Sequence, residues 1–393
     1  PEIMEQSVAR MVGGIDAEIF RPDDELRRLA GRAVELGVDH RFEAGASPET
    51  VLRSLQDAGA PGREWLAELE HSRQPWFNIN VGDGFYHYHR SWNDDLSMPF
   101  AGLPGYIARV RAGETLERPL QKLQEERRQL IADYRELLGS DEERAAYDQM
   151  ITLAHRVFPY VEGHKFYCEH WYTNLFFNKI REFGALLAAN GFFADTEDVF
   201  HLTHYELESA IIDLMNSWST GSAPRGPQHW PALVAERRAA IAQWAKHATP
   251  PALGPVPEVI DDPAIVMLWG ITRESLDMWL KAGTDSASNE IRGFAASSGV
   301  VEGTARVVKS VEEIGRLQAG DILVCQITNP TWAPIFQKIA GAVSDIGGSM
   351  SHAAIVAREF GLPAVVGTGS ATSRIRDGQR VRVDGGRGIV TLL

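Results

Sequence analysis

The stretch "GAVSDIGGSMSHAAIVAREFGLPAVVG", residues 341–367, decides the fold of the carboxyl-terminal part of the chain. It begins with a short apolar run that ends in Gly347 and Gly348, where the backbone is free to turn at positive φ. Ser349 or Ser351 is placed to cap the helix that follows, and a glycine and a proline end that helix. The pattern predicts a strand, a tight turn, a short helix and a second strand.

His352 falls within the first turn of the predicted helix. Unpaired backbone N–H groups and the positive end of the helix dipole favour an anion beside the imidazole at that position. A neutral histidine there is a nucleophile whose phosphorylated form its surroundings would stabilise. Arg358 either balances such a phosphate or complements the carboxyl end of the helix. The alternative is that the glycine pair is an ordinary turn and His352 an ordinary residue of a capped helix.

Short β-rich runs alternate with helical stretches around this segment. The β-rich runs cover residues 304–308, 321–326, 342–345, 364–367, 380–384 and 388–392, and the helical stretches 311–317, 332–339 and 351–360. This alternation predicts a compact α/β domain of β/β/α type over residues 297–393.

The upstream sequence has a different pattern. Apolar residues recur at three- and four-residue spacing through residues 1–280, which predicts a mostly α-helical region. Residues 281–296 are rich in Gly, Ala and Ser and predict a hinge linker. The expected fold class is therefore multidomain, with a mostly helical amino-terminal region followed by the compact α/β domain. The chain starts within a helical pattern, which leaves open that it is a fragment.

Charge and hydropathy exclude several classes of function. The net charge is −14, and residues 291–393 carry 11 Lys and Arg against 8 Asp and Glu. A basic stripe with interleaved aromatic residues is lacking, so we expect no nucleic-acid partner. Apolar runs are far shorter than the roughly 18 residues that span a bilayer, so we expect no membrane partner. The first residues do not resemble a secretory signal, and the two cysteines form no framework, so we expect a cytoplasmic location.

Residues 347–367 resemble the phosphohistidine signature of the mobile, or swivelling, domain of the phosphoenolpyruvate-utilising enzymes. This family includes phosphoenolpyruvate synthase, rifampin phosphotransferase and the histidine subunit of phenylphosphate synthase. The resemblance extends to "SSGVVEGTARVV", "DILVCQITNPTWAPIF" and "DGQRVRVDGGRGIV", residues 297–308, 321–336 and 377–390. Met350 and Ser351 stand where the dikinases carry Thr-Ser, so the regulatory threonine of those enzymes has no counterpart here.

The resemblance implies a dikinase-type relay in which an ATP-grasp module transfers a phosphoryl group from ATP to His352. The chain shows no nucleotide-binding motif of its own, so ATP and Mg²⁺ are expected only through an ATP-grasp domain or subunit, in cis or in trans. The residues expected to support the phosphate are Gly347, Gly348, Ser349, Ser351 and Arg358. Residues 195–207 resemble the string that precedes the carrier domain in the rifampin phosphotransferase branch, which implies a helical acceptor-binding domain.

Two clusters rich in aromatic residues and histidine are candidates for the acceptor site. The first lies within residues 77–95. The second, residues 160–184, separates on a helix into a stripe with Phe166 and His170 that predicts core, and a polar-aromatic stripe that suits a pocket. The predicted substrate-binding residues are His87, His89, Asp94, His164, Tyr167, Trp171, Asn178 and Arg181. The alternative is that both clusters are packing layers. Metal-ligand spacing is lacking, so we predict no metal site.

The leading hypothesis is a phosphotransferase subunit, incomplete without an ATP-grasp partner. It would carry phosphoryl through His352 to a small, aromatic or apolar, organic hydroxyl compound. A non-catalytic phosphocarrier or regulatory protein is the second hypothesis, and a relay like that of phosphoenolpyruvate synthase is the third. The sequence leaves the acceptor's identity and the oligomeric state open.

Overall fold

The computed structural model describes residues 7–8, 10–43, 45–82, 85–244, 255, 257–262, 265–282, 288–309, 311–329 and 332–393. Within these residues a helical region precedes a domain built on a mixed β-sheet, which confirms the predicted fold class. None of the described helices combines the length and the apolar character needed to cross a bilayer.

The helical region consists of α1 to α10 and shorter helical turns. These helices are Arg21–Glu35, Pro48–Asp57, Ala60–Arg73, Ser97–Arg111, Leu120–Glu136, Asp141–His164, Thr173–Ala189, His204–Thr220, Gly226–Trp244 and Arg273–Ala282. The 3₁₀ turns of this region are Glu18–Phe20, Asp39–Arg41 and Thr196–His201. Local caps set several of the starts: the hydroxyl of Ser140 accepts from the amide of Glu143 at 3.1 Å, within a capping box at the start of α6.

A π-helical segment, Lys165–Tyr172, joins α6 to α7 without a break. Its backbone hydrogen bonds run from residue i to i+5, so each turn holds more residues than a turn of α-helix. Side chains beyond the start of this segment are therefore rotated relative to the faces that a regular 3.6-residue period predicts. A second π-helical segment, Ile265–Trp269, precedes α10.

The second domain is built on β1 to β8 with helices α11, α12 and α13. The strands are Glu290–Arg292, Phe294–Ser297, Val300–Val308, Ile322–Cys325, Gly341–Ser344, Ala364–Val366, Arg380–Asp384 and Ile389–Leu392. The helices are Ala333–Phe336, His352–Phe360 and Ala371–Arg374, and Val311–Arg316 is a 3₁₀ turn.

The strand order in the sheet is β1-β8-β7-β3-β4-β5-β6-β2. Strands β3, β4, β5 and β6 pair in parallel, and the remaining pairs are antiparallel. Every residue of β4, β5 and β6 is buried, which explains their continuous apolar sequence. The loop after β5 leads directly into α12, as the glycine pair predicts.

The hinge linker predicted at residues 281–296 differs from the structure at its carboxyl end. Residues 290–292 pair with β8 and residues 294–297 pair with β6, so both runs are strands of the sheet domain. Each run is only three or four residues long and holds a single bulky apolar residue, Ile291 or Phe294, which is a weak strand signal. The middle of the predicted linker, residues 283–287, lies outside the described residues.

One apolar core runs through both parts of the molecule. It includes Leu26 and Leu29 of α1, Phe100 of α4, Phe336 of α11 and Ala354 of α12. A second cluster covers the opposite face of the sheet, and a third lies among α7, α8 and α9. The sheet domain therefore rests on the helical region through a packed apolar interface.

A close approach in this interface lies between α4 and α11. A Cβ atom on Gly102 would lie 2.5 Å from Cβ of Pro334, so a side chain at this position would separate the two helices. The side-chain amide of Gln337 also donates to the carbonyl of Gly102 at 3.3 Å. This contact holds the sheet domain with the start of α12 turned toward the helical region.

Candidate active site

His352 is the first residue of α12, and Ser351 occupies the N-cap position in an extended conformation. The side chain of Ser351 makes no capping hydrogen bond, contrary to the expected cap. The hydroxyl oxygens of Ser349 and Ser351 are both buried, and no hydrogen-bond partner within the described residues reaches them. Buried polar atoms are normally paired. Ser351 lines the cavity described below, so its hydroxyl is placed to bind an added group beside the helix start, whereas Ser349 lies outside that lining.

Gly347 shapes the turn that leads into this helix. Its φ angle is +129°, in the region that favours glycine. A Cβ atom at this position would lie 2.7 Å from Oγ of Ser351. The turn therefore requires glycine here, for both backbone conformation and space. Gly348 contributes its carbonyl, which accepts from the amide of Ser351 at 3.0 Å.

The ring of His352 is oriented by Thr328, whose Oγ1 atom lies 3.1 Å from Nδ1. When Nδ1–H donates to this hydroxyl, the lone pair of the neutral ring is on Nε2. The ring is half-buried and lines a cavity. Burial lowers the pKa of His352 to about 3, the positive charge of Lys165 lowers it further, and a proton on His170 would act in the same direction. His352 is therefore neutral and nucleophilic at neutral pH.

Arg358 supports the loop before α12. One nitrogen of its guanidinium donates to the carbonyl of Ser349 at 2.6 Å, and another donates to the carbonyl of Ala296 in β2 at 3.1 Å. Burial lowers the pKa of Arg358 to about 10, and the charge of Arg10 acts in the same direction. These bonds connect the loop before α12, at Ser349, to strand β2. The side chain of Arg358 also lines the cavity.

The cavity beside His352 has a volume of about 550 Å³ and lies between the sheet domain and the helical region. Much of its lining is apolar. The apolar residues include Val12, Ile15, Ile19, Phe20, Phe85, Leu123, Phe158, Ile327, Ile346, Met350 and Ile355. Its volume falls within the range of about 300–1,000 Å³ that is usual for small-molecule sites.

The wall that faces His352 carries charged side chains from α6 and the π-helical segment. Glu162, Lys165, Glu169 and His170 all line the cavity. The ammonium of Lys165 lies 2.7 Å from Oε1 of Glu162. The carboxylate of Glu169 lies 3.6 Å from Nδ1 of His164, so it is held less closely. One helical face thus supplies a cation, two carboxylates and an imidazole to the cavity.

The eight residues predicted to bind substrate do not line this cavity in the described part of the chain. Four of them form a separate cluster instead. Asn178 donates to the carboxylate of Asp94 at 3.1 Å, and Arg181 donates to the carbonyl of His87 at 2.5 Å. The ring of His87 stacks on Phe200 with centroids 4.1 Å apart, and burial lowers its pKa.

The other predicted residues also lie outside the cavity lining. His89 lies beside the exposed ring of Tyr88, with centroids 4.6 Å apart. His164 and Tyr167 are exposed, and Trp171 is partly buried against the apolar core. The substrate-binding role of all eight stays a prediction.

The sequence pattern did not indicate the residues that do face His352. A regular helix places His170 on the stripe expected to be core, and Lys165 and Glu169 on neither predicted stripe. The π-helical segment changes this phase, and residues 165 and 170 share one face because they lie one π-turn apart. The acidic and basic residues in this aromatic-rich run were the available signal.

A metal site is not indicated. Within the described residues no group of three or more His, Cys, Asp or Glu side chains is placed to hold a metal ion.

Comparison with known proteins identifies the sheet domain. Residues 317–388 match the family model for the PEP-utilising enzyme, mobile domain. The sheet domain is therefore similar to that mobile domain over these residues, and it is called the mobile domain below. This confirms the resemblance of the residues around His352 to that family, and the mobile domain is the part of the molecule that presents this histidine to the cavity.

Three relatives extend the similarity to different lengths of the chain. An uncharacterised phosphotransferase, YvkC, of Bacillus subtilis is 30% identical over 88% of this chain and 38% of its own length. A rifampicin phosphotransferase of a Streptomyces species is 39% identical over 54% of this chain and 21% of its own length. A phosphoenolpyruvate synthase of Aeropyrum pernix is 50% identical over 25% of this chain and 12% of its own length. The chain thus spans well under half the length of each of these relatives.

Proposed function

We propose that this chain is the carrier and acceptor-binding part of a dikinase-type phosphotransferase. A phosphoryl group from ATP, bound on a separate ATP-grasp module that also supplies Mg²⁺, passes to His352. It then passes to the hydroxyl of a small, largely apolar compound in the cavity. The observation that carries this proposal is the neutral ring of His352 on the wall of a cavity of about 550 Å³ between the mobile domain and the helical region.

The first transfer uses the lone pair on Nε2 of His352. Nε2 attacks the β-phosphorus, the N–P bond forms and the P–O bond to AMP breaks, while Nδ1–H stays bonded to Thr328. Water takes the γ-phosphoryl group, which leaves as inorganic phosphate. The new phosphoryl oxygens can accept hydrogen bonds from the unpaired hydroxyl of Ser351 and from the free amides of the first turn of α12. These donors favour the phosphorylated form of the ring.

The second transfer takes place in the cavity. The acceptor oxygen attacks phosphorus, the N–P bond breaks, and Nε2 regains its lone pair. The hydroxyl proton needs a base, and Glu169 is a cavity-lining carboxylate whose ion-pair partner within the described residues is the imidazole of His164, at 3.6 Å. Lys165 provides the positive charge that offsets the charge of the transferring group.

The cavity lining supports an apolar or aromatic acceptor. Phe20, Phe85 and Phe158 offer aromatic surface, and Phe85 itself is 60% exposed. A pocket that is mostly apolar with a few polar groups at one end suits a compound whose single reactive hydroxyl is directed to that end. In this cavity that end is formed by His352, Lys165 and Glu169.

The cavity also bears on the other hypotheses. A non-catalytic phosphocarrier requires no cavity of this size at its histidine. The similarity to a phosphoenolpyruvate synthase covers 25% of the chain, so it offers no support for a phosphoenolpyruvate site in the helical region. The cavity therefore favours the transfer to a hydroxyl compound.

The test follows the phosphoryl group. The chain is incubated with ATP labelled at the β-phosphate, with and without an ATP-grasp module, and then with a panel of phenols and primary alcohols. We expect label on the chain only with the module, AMP as a product, and a phosphate ester after addition of an acceptor. His352→Ala abolishes labelling, whereas the exposed control His229→Ala does not. Label that persists on the His352→Ala chain would overturn the proposal.

A further inference from the structure

A second histidine, His170, reaches the same cavity from the π-helical segment and is only 3% exposed. Its Nδ1 atom accepts a hydrogen bond from the backbone N–H of Asn80 at 3.2 Å. Because a backbone N–H can only donate, Nδ1 carries a lone pair and the ring proton is on Nε2. His170 is therefore a neutral ring with one N–H donor.

The surroundings keep this ring neutral. Protonation of Nδ1 would break the bond from Asn80 and add a charge near Lys165. Burial lowers the pKa of His170 to about 3, and the charges of Lys165 and His89 lower it further. Since Nε2 already holds the proton, His170 cannot accept the proton of an acceptor hydroxyl through that atom. It can only donate a hydrogen bond.

The segment that orients His170 is also held by the mobile domain. The carbonyl of Val81, the residue after Asn80, accepts from Asn329 at 2.5 Å and from the indole of Trp332 at 3.2 Å. Asn80 itself is fully buried. Contacts from the mobile domain therefore fix the short segment whose amide sets the proton position on His170.

The same stretch of the mobile domain orients both histidines. Thr328 contacts Nδ1 of His352, and its neighbour Asn329 holds Val81. The two rings are also close enough that a charge on His170 lowers the pKa of His352. Docking of the mobile domain thus aligns the carrier ring and the opposite donor together.

We propose that His170 is a catalytic residue whose Nε2–H donates a hydrogen bond to the phosphoryl group as it moves from His352 to the acceptor. The inference rests on the proposed function and extends it. Charge on the phosphoryl oxygens is offset in the transition state by fixed donors aimed at them. Lys165 supplies a full charge on this wall, and His170 adds a directed donor without a second buried cation.

The kinetic test separates the two transfers. The chain is phosphorylated either by ATP with an ATP-grasp module or directly by phosphoramidate, and transfer to phenol and to benzyl alcohol is followed. His170→Leu should leave phosphorylation of His352 unchanged and lower the single-turnover rate of transfer about 100-fold, the usual loss for one such donor. His170→Gln keeps an N–H donor at similar reach and should recover most of that rate. The KM for the acceptor should change little in either variant.

A spectroscopic test needs no acceptor. In a chain labelled with ¹⁵N-histidine, the signals of His170 are those lost in His170→Gln. We expect Nε2 to be protonated and Nδ1 unprotonated from pH 8 to pH 5, and the Nε2–H signal to shift when phosphoramidate phosphorylates His352. Asn329→Ala should reduce that shift, because the segment that orients His170 loses a contact.

The outcomes distinguish this inference from the function on which it rests. A chain whose His352 takes no phosphoryl group would refute the proposed function and, with it, the inference. A chain that is phosphorylated normally but shows Nδ1–H on His170, or no response of Nε2–H to phosphorylation, would refute the inference alone. Transfer by His170→Leu at the wild-type rate would refute it as well.

Discussion

Replacing Glu359 by Gln removes the anion from an ion pair that joins the mobile domain to the helical region. Oε1 of Glu359, in α12, lies 2.8 Å from the guanidinium of Arg118, and the two side chains are 15% and 5% exposed. The guanidinium of Arg118 also lies 3.7 Å from the ring centroid of Phe20 and 3.4 Å from the carbonyl of Ile15. Arg118 is thus fixed in the helical region and paired across the interface.

The magnitude follows from this burial. Removing one partner of a buried ion pair costs about 3–5 kcal/mol, because the remaining charge stays buried without compensation. Since the pair lies between the two parts of the molecule, the loss falls on docking of the mobile domain. A loss of about 3 kcal/mol lowers the ratio of docked to undocked molecules about 150-fold. We expect Glu359→Gln to slow transfer to the acceptor, with phosphorylation of His352 by the ATP-grasp module maintained.

The assay combines small-angle X-ray scattering with hydrogen exchange of the amides in α11 and α12, which lose protection when the domain undocks. Arg118→Met with Glu359→Leu should recover much of the docking, because an apolar pair leaves no buried charge. Arg135→Gln is the matched control. Arg135 pairs with Asp148 at 2.9 Å, but both side chains are about half exposed, so little change is expected. Wild-type exchange and wild-type transfer in Glu359→Gln would refute the reasoning.

Three further predictions concern the site itself. Gly347→Ala should lower the free energy of unfolding by about 1–3 kcal/mol and slow transfer more than 10-fold, because φ of Gly347 is +129° and the new Cβ would meet Ser351. The control is Gly378→Ala, where φ is +82° but a Cβ atom has open space. This variant should lower the free energy of unfolding in urea by only about 1 kcal/mol and leave transfer unchanged. His352 and His170 have a pKa of about 3 in the folded chain against 6.5 otherwise, so the unfolded state binds more protons and stability should fall as pH decreases from about 6.5 to 3. The urea midpoint should therefore change less steeply with pH in His170→Gln than in the wild-type chain. An identical dependence on pH in the two chains would contradict the low pKa of His170. Lys165→Met should raise the pKa of His352, measured by NMR titration, and slow transfer about 100-fold. An unchanged pKa of His352 would mean that the ammonium of Lys165 does not act on this ring.

The sequence predicted the mobile domain well because its strands are short apolar runs bounded by glycine, proline and charged residues. The position of His352 at the start of α12 follows from the glycine pair before it and Gly361 after it. Strands β1 and β2 could not be predicted, because their pairing with β8 and β6 is set by distant residues and not by their own side chains. The sequence also could not predict that the Ser351 side chain makes no capping hydrogen bond, because Ser351 lines a cavity that forms only when the chain folds.

The facing wall of the cavity was only partly visible in sequence periodicity. Glu162, Lys165 and Glu169 share one face of a regular helix, whereas His170 does not. An unbroken helical pattern over residues 160–184 assumes 3.6 residues per turn, and the π-helical segment departs from that period at the point where the wall begins. Lys165, Glu169 and His170 meet there, while the residues chosen by the regular period lie on other faces. Departures of this kind depend on tertiary packing, which a single helix pattern does not report.

Only Gly293 separates β1 from β2, yet these strands stand at the two ends of the strand order. One residue spans only about 7 Å between its neighbours, so the sheet must curl until its two borders meet. Open borders of a sheet present unpaired amides and carbonyls that invite association with other chains. Because the two borders converge at Gly293, a second copy of the domain has little room to add a strand beside that point.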